Sequence, residues 1–351
     1  MRALVLHGPG DLRLEEVPDP EPGAGEVVLD VEVALTCATD AKMLRSGRHP
    51  ALPPLPAPFG HEATGTVAAI GPGVEGLSLG DPVVVANSAP CGACFACERG
   101  RPSLCEDPVY LTGAFAERLL VPARIVARNL LPRPPGLAPE LAAMVEPLAC
   151  AVRGVERSEA GAGDVAVVLG GGVQGQLVTA LLARRGVRVL LCDPHEDRRA
   201  RGLRFGAEAA LPAPRDAAGV ADVRRATPAG RGADAVLEAV GRPEAWEAAV
   251  ALARPGGEVI LYGGCAPGTT VTLPTAPLHY GELRIQGSYH HTPAAVREAL
   301  RLLSAGAAPF GELVGEPVGL ADVPGILAGP GPKRPVVPSL AAATSGASRA
   351  A

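Results

Sequence analysis

The chain has 351 residues, 32 basic and 37 acidic side chains, a formal net charge of −5 and 47% hydrophobic residues. Its length favours about two domains, and so high an apolar fraction excludes a disordered chain. Near-balanced charge leaves no basic footprint for nucleic acid or an anionic membrane. The opening MRALVLHGPGDLRLEE breaks its apolar run at His7, Gly8 and Pro9, so it lacks the apolar core of a secretion signal. No run approaches the ~20 apolar residues of a membrane-spanning helix. A soluble cytoplasmic protein with reduced thiols is expected.

Residues 1–150 are rich in Gly and Pro, with short apolar runs at Val27–Leu35, Thr64–Ile70 and Asp81–Asn87. Short strands punctuated by turn residues predict a β-barrel-like domain. Ala51–Pro58 (ALPPLPAP) reads as a rigid extended connection. From about residue 151 the pattern changes to strand–helix–strand. Val165–Leu169 is a buried-type strand, Val173–Arg185 a helix and Val187–Cys192 a second strand. Later strands are expected at Ala233–Val240, Glu258–Tyr262 and Leu283–Gly287. A helix is expected over Pro243–Arg254, stopped by Pro255-Gly256-Gly257, and another over Thr292–Ala305. This alternation predicts a doubly wound parallel sheet and an α/β fold.

The eight cysteines are too sparse for a disulfide scaffold, yet Cys91, Cys94, Cys97 and Cys105 fall within fifteen residues. Four thiolates satisfy tetrahedral Zn²⁺ with no open position, so this lobe (about 88–106) is expected to hold a structural metal. An iron–sulfur cluster is the alternative. Elsewhere Cys37, the pair His61-Glu62, and Glu146 supply a thiolate, an imidazole and carboxylates. A catalytic zinc takes about three such ligands and keeps one open place.

Cys37-Ala38-Thr39-Asp40, Gly60-His61-Glu62, the four-cysteine lobe and the downstream nucleotide pattern occur in that order. With them the chain resembles the zinc-dependent medium-chain dehydrogenase/reductase family, from near residue 1 to about 338, and within it the sorbitol (polyol) and threonine dehydrogenase branch. The resemblance implies a GroES-like catalytic domain over 1–150, a Rossmann NAD-binding domain over 151–290 and a return to the first domain over 291–338. The tail 339–351 is expected to be flexible. It implies Cys37, His61 and Glu62 as catalytic-zinc ligands, Glu146 beside the metal directly or through water, and Thr39 in the proton relay. Two departures stand out. Ala38 replaces the usual Gly, and Lys42 stands where relatives often carry the second relay residue, a His. Lys42 either donates to substrate hydroxyls or is solvated; His49 is the other candidate for the relay.

Gly170-Gly171-Gly172-Val173-Gln174-Gly175 fits G-x-G-x-x-G between a strand and a helix, so pyrophosphate is expected at the helix N-terminus. Asp193, 23 residues after Gly170, offers a carboxylate to ribose hydroxyls and repels a 2′-phosphate, which favours NAD over NADP. Arg198 and Arg199 pull the other way, and the resemblance places Arg198 near the adenosine. Gln174 either bonds the cofactor or faces solvent. By resemblance Gly263, Gly264, Ser288 and Tyr289 flank the nicotinamide half.

Aromatic residues make up only 3% of the chain, and the segment after the Cys37 motif has none before His49. Lys42, Arg45, Arg48, His49, His290 and His291 offer donors for several hydroxyls. The expected reaction is NAD-linked interconversion of a secondary alcohol (polyol, sugar or cyclitol) and its ketone, with two zincs per chain and a homodimeric or homotetrameric enzyme. An L-threonine 3-dehydrogenase-like enzyme is the alternative, and a non-enzymatic zinc-binding regulatory module the alternative of another class.

Overall fold

In the computed structural model, which describes residues 1–329 and 332–341, the short apolar runs of the first third pair as antiparallel strands. The chain divides into two units, Met1–Glu146 with Val296–Ala351, and Pro147–Ala295. In the first, Arg2–Gly8 (β1), Asp11–Glu16 (β2) and Ala57–Pro58 (β4) form a small sheet in the order β2-β1-β4. The larger sheet centres on Val27–Leu35 (β3), which pairs with Ala63–Ile70 (β5), Arg118–Val121 (β9) and the C-terminal strand Pro335–Val336. Pro82–Val85 (β6) and Leu130–Pro132 (β10) extend it beyond β5, while Ser88–Ala89 (β7) and Val109–Tyr110 (β8) pair at the base of the cysteine lobe. Leu4, Leu6, Leu29, Phe59, Phe115 and Ile125 are fully buried in the core of this unit. Each buried Leu or Phe contributes roughly 1.5–3 kcal/mol by leaving water.

Helix Ala38–Ser46 (α1) follows β3 directly. Its apolar content gives little periodic signal, and the sequence reading passed over it. What starts it is a reciprocal cap. Cys37 Sγ accepts from Thr39 N–H at 3.5 Å, and Asp40 accepts from Cys37 N–H at 2.9 Å. Gly47, in the left-handed region at φ 62°, ends it. The proline-rich stretch at 51–58 forms no helix, as its fixed φ angles require.

Helix Val145–Glu156 (α2) carries the chain into the second unit. There Val165–Leu169 (β11), Arg188–Cys192 (β12), Ala209–Leu211 (β13), Ala233–Glu238 (β14), Ala253–Leu261 (β15) and Arg284–Gly287 (β16) form one all-parallel sheet. Its order is β13-β12-β11-β14-β15-β16, the doubly wound arrangement whose strand order reverses beside the first strand. The crossovers include Val173–Arg184 (α3), Glu196–Arg204 (α4), Ala217–Arg225 (α5) and Pro243–Leu252 (α6). β11 is buried at all five positions, which explains its continuous apolar run.

The units divide at Glu146/Pro147 and Ala295/Val296 rather than at 150/151 and 290/291, and the end of α6 differs in kind. Pro255-Gly256-Gly257 does not close a loop after α6 but lies inside β15. The register against β14 shifts there, from Ala233–Ala253 to Ala235–Glu258, and Gly256 takes φ 71°. Residues that break regular structure have made a bulge within the strand. Helix Pro293–Ser304 (α7) leads back into the first unit. Of the expected tail, residues from 342 onward lie outside the described residues. No helix among the described residues is long and apolar enough to cross a membrane.

A Cβ built on Gly175 falls 1.6 Å from the Gly170 carbonyl oxygen, whereas one built on Gly172 meets nothing within 4 Å. The first contact is backbone against backbone and cannot relax by a rotamer change. Gly175→Ala is therefore expected to cost about 2–3 kcal/mol in urea unfolding, and Gly172→Ala close to nothing. Equal midpoints for the two variants would contradict this packing.

Candidate active site

Two turns bring the first group of predicted residues together. Cys37 caps α1 at the end of β3, and Gly60, at φ 91°, turns the chain so that His61-Glu62 enter β5 beside it. A side chain at Gly60 would strike the Phe115 ring, with a Cβ 2.7 Å away. Leu35 N–H donates to Glu62 C=O at 3.0 Å, locking the two strand ends in register. Cys37, His61 and Glu62 each offer a ligand atom, all within 4.8 Å of one another. His61 and Glu62 are buried, and Glu62 Oε1 has no hydrogen-bond partner. A half-buried thiol, a buried imidazole and a buried carboxylate oxygen that accepts no hydrogen bond, all close together, fit a divalent zinc.

His61 Nδ1 donates to Asp40 Oδ1 at 2.7 Å, so Nε2 is the ring nitrogen on the Glu62 side, 3.9 Å from Glu62 Oε1. Burial works against charge on His61, but the Asp40 carboxylate and its hydrogen bond hold the imidazole pKa well above its usual value. Asp40 is fully buried and belongs to the Cys37 motif, yet the sequence reading gave it no role. Lys333 was missed altogether. It is buried, pairs with Glu62 Oε2, and donates to Thr36 C=O at 3.0 Å. Burial alone would raise Cys37, but the charge of Lys333 and a bond from His61 bring its thiol down to about 7. Burial pushes Glu62 well above the carboxylate range against the pull of Lys333.

Glu146 is buried in the first turn of α2, near enough for its charge to act on both Glu62 and Lys333. Thr39 is half-buried on the first turn of α1. Lys42, Arg45 and Arg48 are exposed. His49 is half-buried and accepts from Ala51 N–H at 3.1 Å; burial and the nearby His61 lower its pKa.

The cysteine lobe forms a second cluster. The four sulfurs lie within 4.8 Å of one another and all four residues are half-buried. Backbone N–H groups point at them, from Cys91 to Cys105 at 3.1 Å, from Ala93 to Cys91 at 3.4 Å and from Glu106 to Cys94 at 3.4 Å. The bond from Glu106 helps bring Cys94 down to about 6, while desolvation pushes Cys97 up to about 12. Thiols this crowded cannot all ionise on their own; a divalent cation at their centre lets them, so the set fits a structural zinc.

In the second unit, Gly170 turns at φ 97° and Gly172 caps α3, whose first residue is Val173. Gly170, Pro194, Arg215, Val240 and Arg242 line a cavity of about 750 Å³. Asp193 is buried; its Oδ2 accepts from Gly171 N–H at 2.7 Å and its Oδ1 from His195 N–H at 2.8 Å. Arg198 Nη1 lies 3.7 Å from Asp193 Oδ2. Gln176, which sequence reasoning missed, is buried and donates to the carbonyls of Gly171 and Arg198 at 3.0 and 2.8 Å. It ties the glycine turn to α4. Gln174 is neither free nor merely solvated: Tyr262 donates its hydroxyl to Gln174 Oε1 at 2.6 Å. Gly263 is held after β15 by Glu238 C=O at 2.7 Å and accepts from the Trp246 indole at 3.0 Å. Ser288 N–H donates to Leu261 C=O at 3.0 Å, and Tyr289 is exposed beside His290, ring centroids 5.7 Å apart. The glycine turn, the unhindered backbone at Gly172 and the helix start behind it fit a dinucleotide.

Comparison with known proteins agrees with this geometry. The sequence profile of the alcohol dehydrogenase GroES-like domain matches residues 23–133, and that of the zinc-binding dehydrogenases matches residues 174–305. The chain is 32% identical over 306 residues to a 2-dehydro-3-deoxy-L-galactonate 5-dehydrogenase from Pseudoalteromonas atlantica, covering 86% of this chain and 87% of that protein. It is 35% identical over 272 residues to an L-threonine 3-dehydrogenase from Pyrococcus horikoshii, covering 75% of this chain and 76% of that one. Among solved structures, a putative zinc-binding dehydrogenase from Sinorhizobium meliloti bound to NADP superposes with a TM-score of 0.87 at 30% identity, over 96% of this chain and 99% of that one.

Removing the Asp40 carboxylate leaves His61 without its orienting partner. Asp40→Asn is expected to weaken metal retention at the Cys37 cluster by about 10–100-fold, read as zinc lost to a chelator, with the lobe cysteines unaffected. Retention equal to the parent's would show that Asp40 does not orient His61.

Proposed function

The chain belongs to the zinc-binding dehydrogenases that carry an alcohol dehydrogenase GroES-like domain, and on that footing we propose that it oxidises a secondary carbon of a polyol, sugar or cyclitol with NAD, using two zincs per chain. The carrying observation is the meeting of the half-buried Cys37 with the buried His61 and a Glu62 oxygen that accepts no hydrogen bond. When bound, zinc there supplies a Lewis acid for the alcohol or ketone oxygen, and the nicotinamide supplies the acceptor or donor of hydride.

The residues have distinct jobs in this reading. Cys37 and His61 hold the metal, with Glu62 and Glu146 as the carboxylates on its flank. The cap of α1 directs the Cys37 sulfur, and Asp40 fixes the imidazole so that Nε2 faces the metal. Thr39, in the first turn of α1, takes the proton that leaves the substrate hydroxyl and passes it outward. His49 is the next group along this path rather than Lys42, because His49 is half-buried and feels the charge of His61, while Lys42 is exposed. Cys91, Cys94, Cys97 and Cys105 hold the second zinc, which shapes the lobe.

In the second unit the Gly170–Gly175 turn and the start of α3 receive the pyrophosphate. Asp193 stands at the end of β12 as the acid that accepts from ribose and opposes a 2′-phosphate, with Arg198 alongside. Gly263, Ser288 and Tyr289 belong to the nicotinamide side. The polyol reading draws on the scarcity of aromatic residues and on the galactonate-derivative dehydrogenase among the relatives. The threonine dehydrogenase relative supports a second reading, oxidation of an amino alcohol. A homodimer or homotetramer in the cytoplasm completes the proposal.

A panel of polyols, sugars, cyclitols and L-threonine, followed at the reduced-nicotinamide absorbance, separates the two substrates. Turnover is expected with polyol-type alcohols and with NAD at a kcat/KM at least about tenfold above NADP, the size of effect one charge contact confers. Preference for L-threonine would replace the substrate assignment, and preference for NADP would overturn the role given to Asp193. Cys37→Ser is expected to lose one of two zincs and nearly all turnover while remaining folded; two zincs retained would refute the site.

A further inference from the structure

A buried lysine is costly unless it is paired, and Lys333, 6% exposed, is held from every side. Its ammonium contacts Glu62 Oε2 and donates to Thr36 C=O. Its own carbonyl accepts from Gly315 N–H at 2.8 Å. The next residue, Arg334, donates to Thr36 Oγ1 at 2.9 Å and accepts from Thr36 N–H at 3.1 Å. Pro335 and Val336 then pair with Leu35 and Ala34, the strand that ends at Cys37. The C-terminal strand therefore delivers an ammonium to one fixed point.

That point faces one oxygen of a carboxylate whose other oxygen is buried, accepts no hydrogen bond and lies 3.9 Å from His61 Nε2. We propose that Lys333 is a positioning residue of the metal centre: it ties down Oε2 of Glu62 so that Oε1 alone is presented to the metal. The proposal rests on the reading of Cys37, His61 and Glu62 as metal ligands. The charges of Cys37, Glu62 and Glu146 act on Lys333, and the fully buried Asp40 stands beside His61 as a fourth acidic group. A carboxylate released from the lysine can turn both oxygens to the metal, which closes the open place that an alcohol needs.

The test uses the full-length enzyme with its metals, as Lys333→Met, Lys333→Arg, Glu62→Gln and the double variant Lys333→Met/Glu62→Gln. Zinc content, the visible spectrum of the Co²⁺-substituted protein, kcat and KM are measured for each. Lys333→Met is expected to keep both metals, to show weaker cobalt bands from a raised coordination number, and to lose about 10–100-fold in kcat with the KM for NAD unchanged. Lys333→Arg should restore the spectrum and most of the rate. In the Glu62→Gln background the methionine substitution should change neither, because a residue acting through Glu62 has nothing left to act on. An unchanged cobalt spectrum in Lys333→Met, or an undiminished effect in the Glu62→Gln background, would overturn the proposal. Should the methionine variant fail to fold, Lys333→Gln is read by the same criteria. Failure of the underlying site shows separately, as a Cys37→Ser protein that still holds two metals.

Discussion

The hydrogen bonds of Asp40 hold the first unit's chemistry together. One oxygen accepts from the backbone N–H of Cys37 and so starts α1; the other accepts from His61 Nδ1. A single fully buried carboxylate thus fixes where the sulfur sits and which imidazole nitrogen faces it. Neither bond is strong alone: a charge-assisted hydrogen bond nets roughly 1.5–3 kcal/mol. Their joint value is geometric. Cys37 arrives from β3 and His61 from the turn before β5, and β3 and β5 are paired strands. Asp40 converts that pairing into a fixed distance between two ligands.

The second unit solves a related problem with backbone rather than side chains. Its cofactor turn is crowded where α3 packs on β11 and open where a ligand must approach, a contrast visible in Gly175 against Gly172. The turn is then pinned from outside. Asp193 takes the Gly171 N–H, and Gln176 takes the carbonyls of Gly171 and Arg198. Asp193 therefore holds the turn in place. It is part of the turn's own scaffold, so its carboxylate direction is set before any nucleotide arrives, which lowers the entropy lost on binding.

Much of this was legible in the sequence where the signal is local. The strand Val165–Leu169, the glycine turn, the helix after it and the four-cysteine spacing each occupy one short window, and the structure has them there. The bulge in β15 was misread because Pro255-Gly256-Gly257 carries the same residue types as a loop; only the neighbouring strand decides between the two. Gln174 was left open between cofactor and solvent because its partner, Tyr262, is 88 residues away. Lys333 was invisible for the same reason in stronger form, since its partners Thr36 and Glu62 lie 297 and 271 residues before it. A basic residue near a chain end ordinarily reads as a solvated one.

Sequence distance also separates the two metal clusters physically. The four lobe cysteines span fifteen residues, are half-exposed, and receive their N–H bonds from the same segment. Their loop closes at small entropic cost. The Cys37 cluster has no such loop. Its two halves come from different strands, and the ammonium beside it comes from the far end of the chain, so its donors meet only when β3 has found β5, β9 and Pro335–Val336. The lobe's four donors depend on a local fold; the donors of Cys37, His61 and Glu62 depend on closure of the whole first unit. The same long-range closure that hid Lys333 from the sequence is what makes the reactive site conditional on a completed fold.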